Sequence, residues 1–340
     1  MKRLILFIFL VALFGVSSLA FGANGQQQAQ SDIVRNAGQA ATVAVTSRVA
    51  AVAAPKPAGV KGNTETSSID ANGNFKFAMN AEDLGLASGD DSNSFGVWGL
   101  GSYTNFSSSA TNAKYDADAL NVFLGFDWRA TPDFLIGIAG GWGSLDLDKK
   151  QWGNDNGTLK TDSEWTIMPY LAYNFTENTI LDAAFSYSDT RYKDSNSTAS
   201  GKYDSTRYLS SVGLSHYYLV DDWTLSGRLG YMYVHGDLKT YSRGGTDVAN
   251  PDTWLGQLSV EGKAAYLFGN GAEPYAGLRY MYDVQTSTKP VDSDYDEFEG
   301  ILGLNWYAGD QWTINMEGGA SAGRSKYDSY RGQAYIRYEF

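Results

Sequence analysis

The sequence predicts an all-β membrane protein, a transmembrane antiparallel β-barrel of about 12 strands, with an N-terminal helix that is a candidate for its lumen. Three observations predict it. From Ser94 to the end, apolar and polar residues alternate, short connections alternate with longer polar ones, and aromatic residues border the short connections. A period of two is typical of strands with two different faces. Because lipid offers no hydrogen-bond partner to a free strand edge, a sheet with an apolar outer face must close on itself.

The N-terminal residues 1–22 have the organisation of a signal peptide. Lys2 and Arg3 precede the apolar run LILFIFLVALFGV, and small residues follow in SSLAFGANG. Cleavage is expected after Gly22, with Ala20 as the second choice. The alternative, a retained anchor helix, is disfavoured because the apolar run is short for a membrane span. We therefore predict an exported protein.

A short N-terminal segment, residues 23–55, comes next and is rich in alanine and valine. We predict a helix over residues 31–54, because Ser31 and Asp32 suit a helix start and Pro55 suits a stop. The valines weaken this prediction, since β-branched residues lower helix propensity. The alternative is a disordered tether.

A polar segment and then the barrel follow. Residues 56–93 are rich in Gly, Asn and Asp and are interpreted as a linker. Residues 94–340 are the predicted barrel. One strand shows its two faces clearly, and its residues predicted to face lipid are Leu120, Val122, Leu124, Phe126 and Trp128. Asn121 and Asp127 fall on the opposite face, toward the lumen.

A soluble β-sandwich is the competing fold, because it also shows alternation and turn signals. It is disfavoured because the strands are long, whereas average strands have about 5–6 residues. Aromatic residues beside the short connections would instead form a girdle at a membrane interface. These are Trp128, Tyr173, Phe175, Trp223, Phe268, Trp306, Tyr338 and Phe340. Closure requires the strand that starts near Phe95 to pair with the strand that ends at Phe340.

The amino-acid composition limits the classes of molecule and ion that the protein is expected to bind. There are 38 acidic residues against 26 basic ones, a formal charge of −12, so a nucleic-acid partner is not expected. The chain has no cysteine, which leaves no disulfide or thiolate metal site. With 23 tyrosines and 9 tryptophans, aromatic side chains carry much of the apolar surface, as suits residues with one apolar and one wet end.

Two stretches resemble known families. The final GQAYIRYEF, with Ile336, Tyr338 and Phe340 at alternate positions, resembles the C-terminal signature of outer-membrane barrels. In that class the barrel-assembly machinery of Gram-negative bacteria reads the last strand. FGVWGLGSYTNF at 95–106 resembles the first strand of the autotransporter β-domain, and IVRNAGQAATVAVTSRVAAVAA is similar to the helix that precedes that barrel.

The autotransporter resemblance implies a function. In that family a signal peptide precedes an exported passenger, a helix in the pore and a twelve-stranded barrel. Here only about ten residues separate the predicted signal from the predicted helix. The expected function is therefore to anchor or translocate a very short or vestigial passenger. The alternative is a passive pore for small polar solutes. The expected location is the Gram-negative outer membrane, as a monomer among outer-membrane lipid and lipopolysaccharide.

Charged residues on the predicted lumenal face are the candidate site. Those singled out, with the two helix arginines, are Arg35, Arg48, Arg228, Glu261, Lys263, Arg279, Glu299, Glu317 and Arg337. Charged lumen residues pair across such barrels and keep the interior hydrated, and a mixed-charge channel is the functional alternative. In the resembling family, lumen groups contact the plugging helix. Arg35 or Arg48 is then expected to meet Glu261, Glu299 or Glu317.

Two further motifs contain residue types that can form a catalytic or metal site. GASAG at 319–323 fits the Gly-x-Ser-x-Gly pattern, but a hydrolase elbow needs a following helix and a nearby base. Ser321 is predicted to face the lumen, whereas His235 is predicted to point outward and His216 to lie near the opposite rim. DSDYDEFEG at 292–300 resembles the opening of a calcium loop but lacks the required Gly and terminal Glu. We expect no enzyme activity, metal site or cofactor.

Overall fold

The computed structural model describes residues 25–53, 95–150, 152, 155–290, 294–308 and 311–339. One helix, α1 (Gly25–Ala53), precedes all the strands. The strands are β1 (Phe95–Ser108), β2 (Tyr115–Thr131), β3 (Phe134–Lys149), β4 (Gly157–Thr176), β5 (Thr179–Asn196), β6 (Ser200–Val220), β7 (Trp223–Leu238), β8 (Tyr241–Arg243), β9 (Thr246–Val248), β10 (Thr253–Tyr266), β11 (Ala272–Thr286), β12 (Asp296–Ala308), β13 (Trp312–Ala322) and β14 (Tyr327–Glu339). The predicted signal peptide, the linker 56–93 and Phe340 lie outside the described residues.

Twelve of these strands form one closed antiparallel barrel. Each strand pairs with its neighbour in sequence, except that β7 pairs with β10 across a small β8–β9 hairpin. The ring closes between β1 and β14, where Val97 lies opposite Tyr338 and Leu100 opposite Tyr335. The predicted fold class and strand number are confirmed, as is the pairing of the first strand with the last.

The two faces of the barrel differ as the alternation predicted. Outward side chains are exposed although apolar, with Leu124 68% exposed and Leu302 69% exposed, whereas the inward neighbour Phe123 is buried. Aromatic side chains form one exposed row beside the short turns, which includes Trp128, Tyr173, Phe175, Trp223, Phe268 and Trp306. A second row lies nearer the long loops and includes Tyr103, Trp142, Trp165 and Tyr208. Two such rows bounding an apolar band are expected where a barrel crosses a bilayer.

Helix α1 lies inside the barrel, so this stretch is a helix and not the disordered tether considered as the alternative. It begins at Gly25, six residues before the predicted start, and ends at Ala53. The helix is surrounded by strands and packs its alanines and valines against them, including Ala44, Val45 and Val49. Packing of this kind supplies most helical stability in proteins, which outweighs the weak propensity of the valines.

The helix runs from the long-loop end of the barrel to the short-turn end. Its first residue, Gly25, lies against Asn112 and Trp152 in two of the long loops. Near its other end, Arg337 donates a hydrogen bond to the Ala51 carbonyl oxygen at 3.4 Å. No helix among the described residues has both the length and the apolar character to cross a membrane.

Candidate functional site

The lumen helix and the wall that surrounds it form the candidate site. Small side chains let the helix fit, because the wall approaches its backbone closely. A Cβ atom added at Gly38 would lie 2.8 Å from the Met232 Sδ atom on β7. Ala40, Ala41 and Ala44 are also buried against the wall. The alanine-rich composition is therefore a requirement of the space inside the barrel.

Arg48 connects the helix to the wall near the short-turn end. Its guanidinium makes a two-pronged ion pair with Asp127 on β2, and both side chains are buried. The Tyr170 hydroxyl donates to the same carboxylate at 2.7 Å, and Trp98 Nε1 donates to the Tyr170 oxygen at 2.7 Å. The Arg48 Nη1 atom also donates to the Tyr335 hydroxyl at 3.5 Å. A planar guanidinium suits such two-pronged recognition of a carboxylate.

Two glycines make room for this cluster. Gly96 and Gly137 lie directly opposite Asp127 on the strands to either side. A Cβ atom at Gly96 would lie 2.6 Å from Arg48 Nη2, and one at Gly137 would lie 2.3 Å from Tyr170 Cζ. The missing side chains leave the space that the guanidinium and the phenol occupy.

Arg35 connects the helix to the wall nearer the long-loop end. Its guanidinium pairs with Asp32 on the same helix, and its Nη2 atom lies 2.9 Å from Asp283 on β11. Arg324 also reaches Asp283, at 3.0 Å. The Tyr115 hydroxyl donates to Asp32 at 2.5 Å. All these charged side chains are buried, so each carboxylate is compensated by several donors.

Arg35 and Arg48 bind the helix to the wall at different heights along the lumen and on different sides of the helix. They are 13 residues apart in sequence, which corresponds to about 20 Å along a helix and about 220° around it. Arg35 therefore reaches β11, and Arg48 reaches β2. Removing one partner of a buried ion pair leaves an uncompensated charge, at a cost of about 3–5 kcal/mol. These pairs fix the position of the helix along the lumen.

The predicted partners of the helix arginines are corrected by the structure. Glu261, Glu299 and Glu317 pair with cations of the wall itself, at distances between 2.5 and 3.1 Å. The wall cations are Lys263, Arg279 and Arg331. Arg279 on β11 pairs with carboxylates on the adjacent strands β10 and β12. Lys263 on β10 reaches Glu317 on β13, across two intervening strands. The carboxylates are thus already paired by cations of the wall. The helix arginines meet Asp127 and Asp283 instead.

The remaining residues of the predicted site do not form one cluster, and each makes separate contacts. Arg228 pairs with Asp182, with Nη2 and Oδ2 at 2.9 Å. Arg337 reaches the end of the helix through the Ala51 carbonyl. Ile336 faces outward and is 46% exposed, next to Tyr338 on the same face. Their predicted role in assembly stays a prediction, and Phe340 lies outside the described residues.

Sequence reasoning missed several residues of the site. Asp283 and Tyr170 carry contacts to the helix anchors, and Arg331 and Arg324 complete the wall network. A signal existed for Asp283, because it lies four residues after Arg279 on one strand and alternation places both on the lumenal face. No comparable local signal marks Tyr170 as the donor to Asp127, since they lie on strands separated by β3.

A cavity remains on one side of the helix, toward the short-turn end. It has a volume of about 130 Å³ and lies between the helix face at Thr46, Ser47 and Ala50 and the wall of β7 and β10–β13. A smaller cavity of about 40 Å³ adjoins it and shares Thr46 and Arg228 as lining residues. The larger free space beside the helix therefore lies on this side, which we call the loose side of the plug.

The β8–β9 hairpin is held against the barrel at the long-loop end. Arg243 Nη1 lies 2.6 Å from Asp194 Oδ2, and Tyr241 donates a hydrogen bond to the same carboxylate. Lys149 Nζ lies 2.7 Å from Asp194 Oδ1. Burial, and then the hydrogen bond to Asp194, raises the pKa of the Tyr241 phenol well above its usual value. The hydroxyl therefore stays protonated and donates across the physiological pH range.

The two chemical motifs do not assemble into a site among the described residues. Ser321 lies on β13, and the chain turns at Gly323 directly into β14 without a helix. His235 stacks against Trp254, while the His216 ring lies 2.9 Å from the Thr179 hydroxyl. Within the described part of the chain, no group of three or more acidic or histidine residues could hold a metal ion. Asp292 lies outside that part.

The comparison with family models decides the family. The model described as the autotransporter beta-domain matches residues 97–298, more than half of the chain. The chain belongs to the autotransporter β-domain family. Membership implies the outer membrane of a Gram-negative bacterium, and this domain is a transport domain.

Solved autotransporter domains share the fold at low sequence identity. The translocator domain of NalP from Neisseria meningitidis matches with a TM-score of 0.61 at 12% identity, over 72% of this chain and 88% of that one. The beta domain of the Bordetella autotransporter Brka gives 0.59 at 17% identity, over 73% and 100%. The transport unit of AIDA-I from Escherichia coli gives 0.54 at 15% identity, over 78% and 94%. A search of curated proteins finds no match.

Proposed function

We propose that this autotransporter-type barrel anchors in the outer membrane, translocates a very short N-terminal segment and retains helix α1 as a plug. The observation that carries the proposal is the helix itself, which fills the lumen with its first residues at the long-loop end. In the proposed orientation, the chain reaches this position by passing through the barrel from the side of the short turns. We propose no catalytic role.

The orientation of the barrel supports display at the cell surface. In bacterial outer-membrane barrels the short turns face the periplasm and the longer loops face outward. Here Gln26 of the helix hydrogen-bonds to Asn250, which follows the β8–β9 hairpin on the long-loop side. The N-terminal end of the described helix, at Gly25, therefore lies toward the outer side of the membrane in the proposed orientation.

An epitope inserted after Gly22 tests the display. We expect it to be labelled by antibody in intact cells and to be removed by added protease. The same epitope in the loop at residues 197–199 is the positive control, and in the turn at residues 132–133 it should stay protected. Protection of the Gly22 epitope, with both controls behaving as expected, would contradict translocation.

Conductance in a planar bilayer tests the plug. Deleting residues 23–93 should raise single-channel conductance, because it removes α1 from the lumen. The double variant Asp127→Asn, Asp283→Asn should increase the frequency of large openings, since it removes the wall partners of Arg48 and Arg35. Glu164→Gln is the matched control, because its ion pair with Arg207 stays within the wall. Unchanged conductance in the deletion variant would overturn the plug.

A passive pore for small polar solutes is the second candidate, and the cavities beside the helix favour it. Together they extend along the loose side of the plug and are lined by charged groups such as Lys263 and Glu273. An outer-membrane channel from Pseudomonas putida F1 also shares the fold, with a TM-score of 0.50 at 11% identity. Steady conductance of the intact chain, unaltered by the helix-anchor variants, would favour this pore over the plugged translocator.

A further inference from the structure

The larger cavity beside the helix contains a carboxylate with no cationic partner among the described residues. Glu273, at the short-turn end of β11, lines this cavity and is only 3% exposed. Asn305 Nδ2 donates to its Oε2 atom at 2.8 Å, and the Tyr307 hydroxyl donates to the same atom at 2.9 Å. The Thr224 hydroxyl donates to Oε1 at 3.3 Å. All three donors are neutral, and a buried charge is costly when no opposite charge compensates it.

The cations that line the same cavity are already paired with other carboxylates. Lys263 Nζ lies 3.2 Å from Glu261 Oε1 and 3.1 Å from Glu317 Oε2. Arg279 Nη2 lies 2.5 Å from Glu261 Oε2, and Arg228 pairs with a carboxylate of β5. The charge of Glu273 is therefore the unbalanced one among the described residues that line the cavity.

The Oε1 atom of Glu273 has room for a further hydrogen bond. An ionised carboxylate offers about four acceptor positions on its two oxygens. Two donors occupy Oε2, whereas only the Thr224 hydroxyl donates to Oε1. Glu273 and its three donors all line the cavity. A cationic donor placed in the cavity would therefore complete this carboxylate.

Aromatic side chains form another part of the cavity wall. The four tyrosines that line it are Tyr217, Tyr275, Tyr307 and Tyr335. Lys263 Nζ lies 5.2 Å from the centre of the Tyr275 ring, so an ammonium group and an aromatic ring already meet here. Aromatic rings attract organic cations. The volume of about 130 Å³ is close to that of an apolar cavity of about 150 Å³ that accepts benzene.

We propose that this cavity binds a small organic ammonium ion. Its nitrogen donates to Glu273 Oε1, and its carbon chain lies against the tyrosines. An ammonium group compensates the buried carboxylate through a charge-assisted hydrogen bond, which is stronger than a neutral one. The helix residues Thr46, Ser47 and Ala50 form the opposite wall. The site therefore exists while the plug is in place and requires neither translocation nor an open pore.

Isothermal titration of the purified full-length barrel in detergent tests the charge of the ligand. The probe is n-butylammonium, and n-butanol has nearly the same shape without the charge. The wild type should bind butylammonium at least tenfold more tightly than butanol. Glu273→Gln should weaken butylammonium binding at least tenfold and leave butanol binding within twofold. The control Glu164→Gln removes an inward-facing carboxylate elsewhere in the wall and should leave both within twofold.

Filling the cavity separates a specific site from partition of the ligand into detergent. Ala50 lines the cavity, so Ala50→Leu should weaken the binding of both ligands severalfold. This variant also serves if Glu273→Gln does not fold, which heat-modifiable migration in gels shows. Equal affinity of the wild type for the two ligands would overturn the proposal, as would wild-type binding of butylammonium by either variant. Displacement of butylammonium by an equal concentration of K⁺ would also overturn it, because the site would then take an inorganic cation.

Discussion

In the lumen, the role of each side chain depends on the partners that it contacts across the barrel. Asp127 accepts from both Arg48 and Tyr170, and the flanking Gly96 and Gly137 provide the room for them. A buried carboxylate is costly unless it is paired and hydrogen-bonded. The cluster is therefore a stable position for the helix only while all its members are present.

On the outer face, the surrounding lipid determines which side chains are stable at each position. Leu124 is 68% exposed and lies on β2 midway between Trp128 and Leu120, which is paired with Tyr103 of the second aromatic row. We expect Leu124→Lys to lower the free energy of unfolding by about 2–4 kcal/mol, because a charge near the bilayer midplane is poorly solvated. Equilibrium unfolding of the refolded barrel in lipid vesicles measures this difference.

The matched control for this prediction is a lysine at Asn121, on the same strand but toward the lumen. Asn121 lines small cavities beside Glu164, so an ammonium group at this position would lie near a carboxylate. Asn121→Lys should therefore cost much less. Equal costs at the two positions would show that the assignment of the faces is wrong.

At the scale of elements, α1 is shaped by its surroundings rather than by its own propensity. Valines and glycines are poor helix formers, yet the helix continues over 29 residues because the wall packs against it on most sides. The sequence signal for this helix was consequently weak, and its start was predicted six residues late. A helix that is buried all round shows no polar face from which its period could be read.

Gly38 separates the effect of packing from that of propensity. Leucine at this site would gain about 1 kcal/mol in helix propensity. Its side chain would however meet Met232, 2.8 Å from the position of the Cβ atom, and such overpacking costs about 1–3 kcal/mol. We expect Gly38→Leu to destabilise the plugged state, seen as more frequent large openings in a planar bilayer.

Ala50→Leu is the control for that substitution, because Ala50 lines the 130 Å³ cavity on the loose side of the helix. Leucine there has space to occupy and should leave the plugged state as stable as in the wild type. If both variants opened the channel equally, the close fit at Gly38 would not be what holds the helix.

At the scale of the whole molecule, closure joins the two ends of the barrel. β1 pairs with β14 along thirteen consecutive positions, from Gly96 opposite Glu339 to Ser108 opposite Tyr327. A closed ring leaves no strand edge in lipid, which is the condition for a sheet to be stable there. The last strand therefore completes the structure as well as carrying the predicted assembly signal.

Deletion of Phe340 tests that signal. We expect the truncated protein to reach much lower levels in the outer membrane, measured by membrane fractionation and immunoblotting. Protein that does insert should show the same conductance as the wild type, because the alternation predicts that Phe340 faces away from the lumen. Normal outer-membrane levels of the truncated protein would contradict a role of the terminal Phe in assembly.

The sequence by itself determined the barrel, its strand number, the facing of its residues and the pairing of its first and last strands. These properties follow from a local alternation that any segment displays without its partners. Only the tertiary structure decided which charges meet. Arg48 meets Asp127 and Arg35 meets Asp283 because of the depth and rotation of the helix in the closed ring. The charges of the wall meet one another through the order, register and curvature of the strands. No local pattern encodes either relation, since both depend on residues far apart in sequence.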